Sequence, residues 1–118
     1  MKTYIELGAM LFIMVFSLGN GLAKDADEAI TYKTDADIAY RTGYGLTDYM
    51  KSRCRLDVYH PVGKKDFATV VWFHGGGLKN GNRFVPSPLK EKGIAIVPVN
   101  YRLHPEVKSP AYIDDAAA

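Results

Sequence analysis

The residues best suited to chemistry are a histidine and three glycines in a row, His74, Gly75, Gly76 and Gly77, which follow an apolar segment ending at Phe73. A glycine backbone can approach a substrate closely and can adopt a positive φ. Acyl transfer develops negative charge on the substrate carbonyl oxygen, and backbone N–H groups aimed at that oxygen stabilise the transition state. The sequence therefore favours an oxyanion-binding loop.

Two other interpretations of this loop are a plain glycine-rich turn and a phosphate-binding loop. A phosphate loop has a lysine and then a hydroxyl residue after its last glycine, whereas here Leu78, Lys79 and Asn80 follow. We expect His74 to hold the loop in shape through its ring nitrogens, since no serine or cysteine nucleophile accompanies it as a partner for a base.

Strands on either side must position this loop. Alternating apolar and polar residues predict an edge strand at 30–34 and a half-buried strand at 53–61, and the segment 35–48 between them is predicted as a loop. Near-continuous apolar runs at 68–73 and 93–101 predict strands buried on both faces, although Pro98 removes one ladder donor from the second.

Two helices complete the predicted α/β pattern. A short one lies between Asn82 and Gly93, with Ser87 as its N-cap and Pro88 in its first turn. The second begins at Ser109 and Pro110 and runs into the terminal alanines. Because the chain stops inside this helix, we expect a truncated domain.

Composition excludes several classes of protein. The 118 residues carry a net charge of only +2, which is too small and dispersed for a nucleic-acid-binding surface. The single cysteine, Cys54, allows neither an intrachain disulfide nor a zinc cluster. Its neighbours Arg53 and Arg55 could activate a thiol, but the strand pattern favours Cys54 as a small buried apolar residue.

The first 23 residues have the form of a signal peptide. Lys2 precedes an apolar run from Leu7 to Leu18, and small residues end the segment at Ala23. The run is far shorter than the roughly 20 apolar residues of a membrane span. We predict cleavage after Ala23 and a secreted or periplasmic mature domain at 24–118; the alternative is a buried N-terminal helix.

Three segments resemble one family in order and spacing: Cys54 to Tyr59, Val70 to Gly77, and Asn100 to Glu106. They are similar to the N-terminal half of α/β-hydrolase esterases and lipases with an HGGG oxyanion loop. The Tyr101-Arg102-Leu103 turn resembles that of bacterial carboxylesterases, and His104 points toward the feruloyl and acetyl-xylan esterase type.

The resemblance implies a mostly parallel sheet with antiparallel first strands and helices on both faces. It implies that Gly76 and Gly77, together with Gly75, donate to the oxyanion, with a further donor after the nucleophile. It also implies a scaffold role for Tyr101, Arg102 and Asp115, and a serine mechanism without metal or organic cofactor.

The catalytic triad itself is missing. In this fold the nucleophile lies in GXSXG and the order is serine, acid, histidine, so His104, Asp114 and Asp115 come too early. The serines, which are Ser17, Ser52, Ser87 and Ser109, all lack the glycine frame. We therefore expect no catalytic residue in this chain and no esterase activity from it alone.

The predicted function is the oxyanion-binding part of a secreted carboxylic-ester hydrolase. Its partner would be a small-molecule or polysaccharide-linked ester, with no nucleic acid and no stable membrane span. The alternatives are an exported peptidase or amidase of the same fold, and a non-catalytic secreted binding domain.

Overall fold

The computed structural model describes residues 29–118, so the predicted signal peptide and its cleavage site lie outside the described residues. Within that range the order of elements is β1 (Tyr32–Ala39), α1 (Asp48–Arg53), β2 (Arg55–Pro61), β3 (Thr69–Phe73), a 3-10 helix (Ser87–Leu89), β4 (Ala95–Val99) and α2 (Ala111–Ala116).

The described strands form one sheet in the order β1-β2-β4-β3. The β1–β2 and β2–β4 pairs are antiparallel, and the β3–β4 pair is parallel. The predicted α/β class and the antiparallel start are confirmed. Among the described strands one pair of three is parallel, so the mostly parallel character expected of the whole fold is not reached within residues 29–118.

β1 continues through a segment that the sequence pattern predicted as a loop. Its register with β2 shifts between Asp35 and Ile38, and Asp37 adopts a φ of 57° there. The N–H of Asp37 donates to the Asp57 carboxylate at 2.8 Å. Pairing with β2 therefore extends the strand across a bulge, and the loop prediction for 35–39 was wrong.

α1 was missed, because six residues are too few to show an apolar period. Its N-cap is Thr47, whose hydroxyl accepts from the N–H of Met50 at 3.2 Å. Asp48 in the first turn and Arg53 in the last complement the helix dipole. As a result β2 begins at Arg55, two residues later than predicted.

β4, and not β3, occupies the interior of the described sheet. Ala95 and Ile96 are buried, whereas Val71 and Phe73 on β3 are 54% and 40% exposed. The prediction of a strand buried on both faces is thus confirmed for β4 and wrong for β3 in the described residues. An apolar run cannot tell a central strand from an edge strand, since it contains no information on strand order.

The helix starts also differ from the prediction. Ser87 lies inside the 3-10 helix rather than capping it, and α2 begins after Pro110 without a side-chain cap. No helix in residues 29–118 has the length and apolarity to cross a bilayer.

Cys54 lies in the core, as predicted, with 1% of its surface exposed. Burial raises the pKa of its thiol, although a hydrogen bond from Tyr40 acts in the opposite direction. The flanking arginines do not activate it: Arg53 and Arg55 point their guanidinium groups at backbone carbonyls elsewhere. Cys54 is therefore a structural residue and not a nucleophile.

Candidate oxyanion loop

The glycine loop is a turn that its glycines make possible. Gly76 and Gly77 have φ values of 120° and 63°, and the carbonyl of Gly76 accepts from the N–H groups of Lys79 and Asn80, each at 3.2 Å. A Cβ on Gly76 would lie 2.0 Å from the carbonyl oxygen of Asn80. A side chain at this position would force the turn to shift.

The N–H groups of the three glycines have no acceptor among the described residues. Gly75, Gly76 and Gly77 are exposed. Backbone donors usually have partners in folded proteins. Consecutive free donors on a fixed turn are suited to an anionic oxygen.

His74 lies directly beneath this turn and is 3% exposed. Its ring stacks on that of Tyr101, with centroids 4.7 Å apart and planes at 17°. Its Nδ1 lies 2.7 Å from the carbonyl oxygen of Gly75, and the Tyr101 hydroxyl donates to the His74 carbonyl at 2.7 Å. The histidine is thus held from both sides, and its ring contacts the loop backbone.

Arg53, which the sequence pattern placed in the strand predicted at 53–61, reaches the same loop from the end of α1. Its guanidinium donates to the carbonyl of Gly81 at 2.6 Å and to that of Tyr101 at 2.9 Å. It also contacts the side chains of Asn82, at 2.7 Å, and His74, at 3.2 Å. The only sequence signal was the Thr47-Asp48 start of a helix that would end at Arg53.

Two further contacts close the loop. Gly81 has a φ of 117°, and a Cβ there would lie 2.3 Å from the His74 ring. The carbonyl of Leu78 accepts from the N–H of His104 at 2.8 Å. Gly81 was not among the predicted site residues, since it stands four positions beyond the glycine run. The need for a glycine there comes from its close approach to the His74 ring, which only the structure shows.

Beside the loop, the turn after β4 is fixed by Asp115, whose side chain is fully enclosed. Arg102 donates to this carboxylate from its backbone N–H at 3.0 Å and from its guanidinium at 2.8 Å. Arg41 adds a contact at 3.0 Å. The predicted fastening of this turn to α2 is confirmed, and Arg41 is an additional member.

These contacts decide the protonation of Asp115. Burial alone would raise the pKa of the carboxyl group. The hydrogen bonds from Arg102 and the charges of Arg102 and Arg41 outweigh burial and lower that pKa below its ordinary value. Asp115 is thus a charged structural anchor, which agrees with its exclusion from the triad.

An apolar groove of about 420 Å³ opens next to the loop. Phe73 and Leu78 from the loop side face Tyr112 and Ile113 of α2 across it. Ile113 is 64% exposed. The groove can accept an apolar group, and Leu78, which directly follows the glycine run, is part of its lining.

Within residues 29–118 the serine hydroxyls make no hydrogen bond to a histidine or a carboxylate. The hydroxyl of Ser52 donates to the carbonyl of Tyr49 within α1, and Ser87 and Ser109 lie in or beside the short helices. Among residues 29–118, no three His, Cys, Asp or Glu side chains come together in a way that could hold a metal ion.

Comparison with known proteins gives matches to esterases. The BD-FAE family model matches residues 56–118, more than half of the chain. Esterase B from Lactobacillus rhamnosis superposes with a TM-score of 0.58 and 27% identity, over 80% of this chain and 31% of that one. A truncated carbohydrate esterase from gut microbiota gives a TM-score of 0.52 and 22% identity, over 76% and 32%.

The second of these similarities concerns the fold alone. The chain spans about a third of the length of the solved esterases that it matches. No curated protein matches it.

Proposed function

Because this chain belongs to the BD-FAE family, we propose that it is the N-terminal, oxyanion-binding part of a secreted serine carboxylic-ester hydrolase. Gly76 and Gly77, together with Gly75, donate to the carbonyl oxygen of the ester. His74 supports the loop. The observation that carries the proposal is the free, exposed N–H groups of these glycines on a turn held by buried side chains.

The chemistry follows from where charge develops. When a serine attacks the ester, the carbonyl oxygen becomes an oxyanion, and donors fixed in advance stabilise it without reorganising. Loss of one such donor lowers kcat by about 10²–10³. The nucleophile, its base and the acid would come from sequence other than residues 1–118, within a mostly parallel sheet with helices on both faces.

The substrate class is an ester with an apolar acyl group, which the groove of Phe73, Leu78, Tyr112 and Ile113 would accept. The alcohol part would be a small molecule or a polysaccharide. The reaction needs neither metal nor organic cofactor. A signal peptide at 1–23 would place the enzyme outside the cytoplasm.

The oxyanion role can be tested on the full chain with butylphosphonate, a tetrahedral anion with a short apolar tail. In ¹⁵N-labelled protein, titration should shift the amide resonances of Gly76 and Gly77 while leaving those of Gly63 and Gly93, which lie at the opposite end of the sheet, unchanged. No response at the loop, or an equal response at the control glycines, would contradict the proposal.

A second experiment addresses the missing triad. We expect no phosphonate-sensitive turnover of p-nitrophenyl acetate by the 118-residue chain. Turnover that a serine-directed phosphonate abolishes would show that a nucleophile had been overlooked. Sequencing the coding DNA beyond Ala118 separates the alternatives: an in-frame GXSXG supports the hydrolase, and its absence supports the binding domain.

A further inference from the structure

Arg53 contacts four groups around the loop, although it lies on another element. Its guanidinium reaches the carbonyls of Gly81 and Tyr101 and the side chains of Asn82 and His74. α1 is held against the turn after β4 by a second contact, in which the Tyr49 hydroxyl accepts from the N–H of Leu103 at 3.0 Å. The short helix thus places the Arg53 side chain beside the loop.

We propose that Arg53 is the positioning residue of the oxyanion loop, and that it acts by fixing His74 as a neutral ring with its proton on Nδ1. A guanidinium has only donors. The Nε2 of His74, 3.2 Å from Arg53, must therefore accept and carries no proton. The proton resides on Nδ1, where it is donated to the Gly75 carbonyl 2.7 Å away.

The Gly75 carbonyl links this tautomer to the oxyanion donors. It belongs to the same planar peptide unit as the N–H of Gly76. In a trans peptide the C=O and N–H bonds point in opposite directions, so a carbonyl held inward by His74 turns the Gly76 N–H outward. The tautomer set by Arg53 thereby sets the direction of an oxyanion donor.

The opposite tautomer would undo this arrangement. A proton on Nε2 would face the Arg53 guanidinium, donor against donor, and Nδ1 would present a lone pair to the Gly75 carbonyl oxygen. A doubly protonated ring would place two cations 3.2 Å apart. Arg53 therefore selects one of three ring states. The catalytic meaning of this selection rests on the proposed function, but the geometry does not.

The test measures the imidazole nitrogens of His74 by long-range ¹H–¹⁵N spectroscopy on the full chain. The sequence has three histidines, and His60→Gln and His104→Gln assign the other two. The wild type should show a pyrrole-like Nδ1 and a pyridine-like Nε2. A protonated Nε2 in the wild type would overturn the proposal, whatever any variant does.

The variant Arg53→Met keeps the length of the side chain and removes its donors. We expect it to move both the Nε2 resonance of His74 and the amide resonance of Gly76. The matched control is Arg55→Met, whose guanidinium bonds to Lys51 and Asp37 instead and which should change neither. Unchanged resonances in Arg53→Met would overturn the proposal.

If Arg53→Met does not fold, Arg53→Lys provides the same comparison, because an ammonium cannot reach all four acceptors from one point. The outcome is separate from the butylphosphonate titration. A wild type with the expected tautomer and no phosphonate response would disprove the oxyanion function and leave the role of Arg53 intact, whereas the reverse result would disprove only the role of Arg53.

Discussion

The neighbouring parallel strands β3 and β4 end at the same edge of the sheet, yet the two turns that follow them are built in opposite ways. The loop after β3 leaves the N–H groups of 75–77 free and exposed. In the turn after β4, the Arg102 guanidinium and backbone N–H both donate to the enclosed Asp115 carboxylate. One turn leaves its donors without a protein acceptor, and the other uses its donors internally.

The difference shows how a site can be rigid and still have free binding groups. In the loop, the side chains of Arg53, His74 and Tyr101 hold backbone carbonyls, which leaves the glycine N–H groups available. In the turn after β4, the Arg102 guanidinium and the Asp115 carboxylate bond to each other. We therefore expect the Asp115 cluster to determine stability and the loop contacts to determine the geometry of the donors.

The largest expected effect is that of Asp115→Asn. It leaves Arg41 and Arg102 facing a neutral amide, and removal of one partner from a buried ion pair destabilises a protein by about 3–5 kcal/mol. Urea unfolding measures this loss. The matched control is Asp114→Asn, an exposed neighbour on the same helix, for which we expect a change within about 0.5 kcal/mol. Equal effects would contradict the distinction between the two turns.

The same carboxylate gives a pH dependence of known sign. The pKa of Asp115 is lowered in the folded chain, so its contribution to stability is complete above the ordinary aspartate pKa of about 3.9 and is lost as the pH falls through the lower folded-state value. Asp115→Asn should flatten this part of the acid unfolding curve. If the loss of stability at low pH were the same in Asp115→Asn as in the wild type, Asp115 would not be its cause.

A smaller effect is expected within the loop, from Gly76→Ala. Its φ of 120° and the 2.0 Å approach to Asn80 predict a cost of about 1–3 kcal/mol, together with the loss of the butylphosphonate response at Gly77. Gly75→Ala is the matched control, because a Cβ there meets nothing within 4 Å. If Gly75→Ala were as damaging as Gly76→Ala, the turn geometry would not be what the loop requires.

Local patterns in the sequence were sufficient to predict that four strands exist and that a glycine turn follows the third, but not the extent of β1. The apolar run ending at Phe73 and the glycines after it form a pattern of residues that are adjacent in the sequence. The role of Arg53 and the edge position of β3 depend on residues that are distant along the chain. Arg53 is 21 positions from His74, and strand order is decided by all four strands together, so no local period could predict either.

The smallest effect concerns Tyr101, which belongs to both regions. Its hydroxyl donates to His74 in the loop, and its carbonyl accepts from Arg53 at the start of the Asp115-bound turn. Tyr101→Phe keeps the ring stack and removes one hydrogen bond, which predicts a loss of about 0.5–1.5 kcal/mol. The Gly76 amide resonance should move, while the loss of stability at low pH that Asp115 causes stays unchanged. A change in this pH dependence would show that the two turns form one cooperative unit, because the Tyr101 hydroxyl has no contact with the carboxylate.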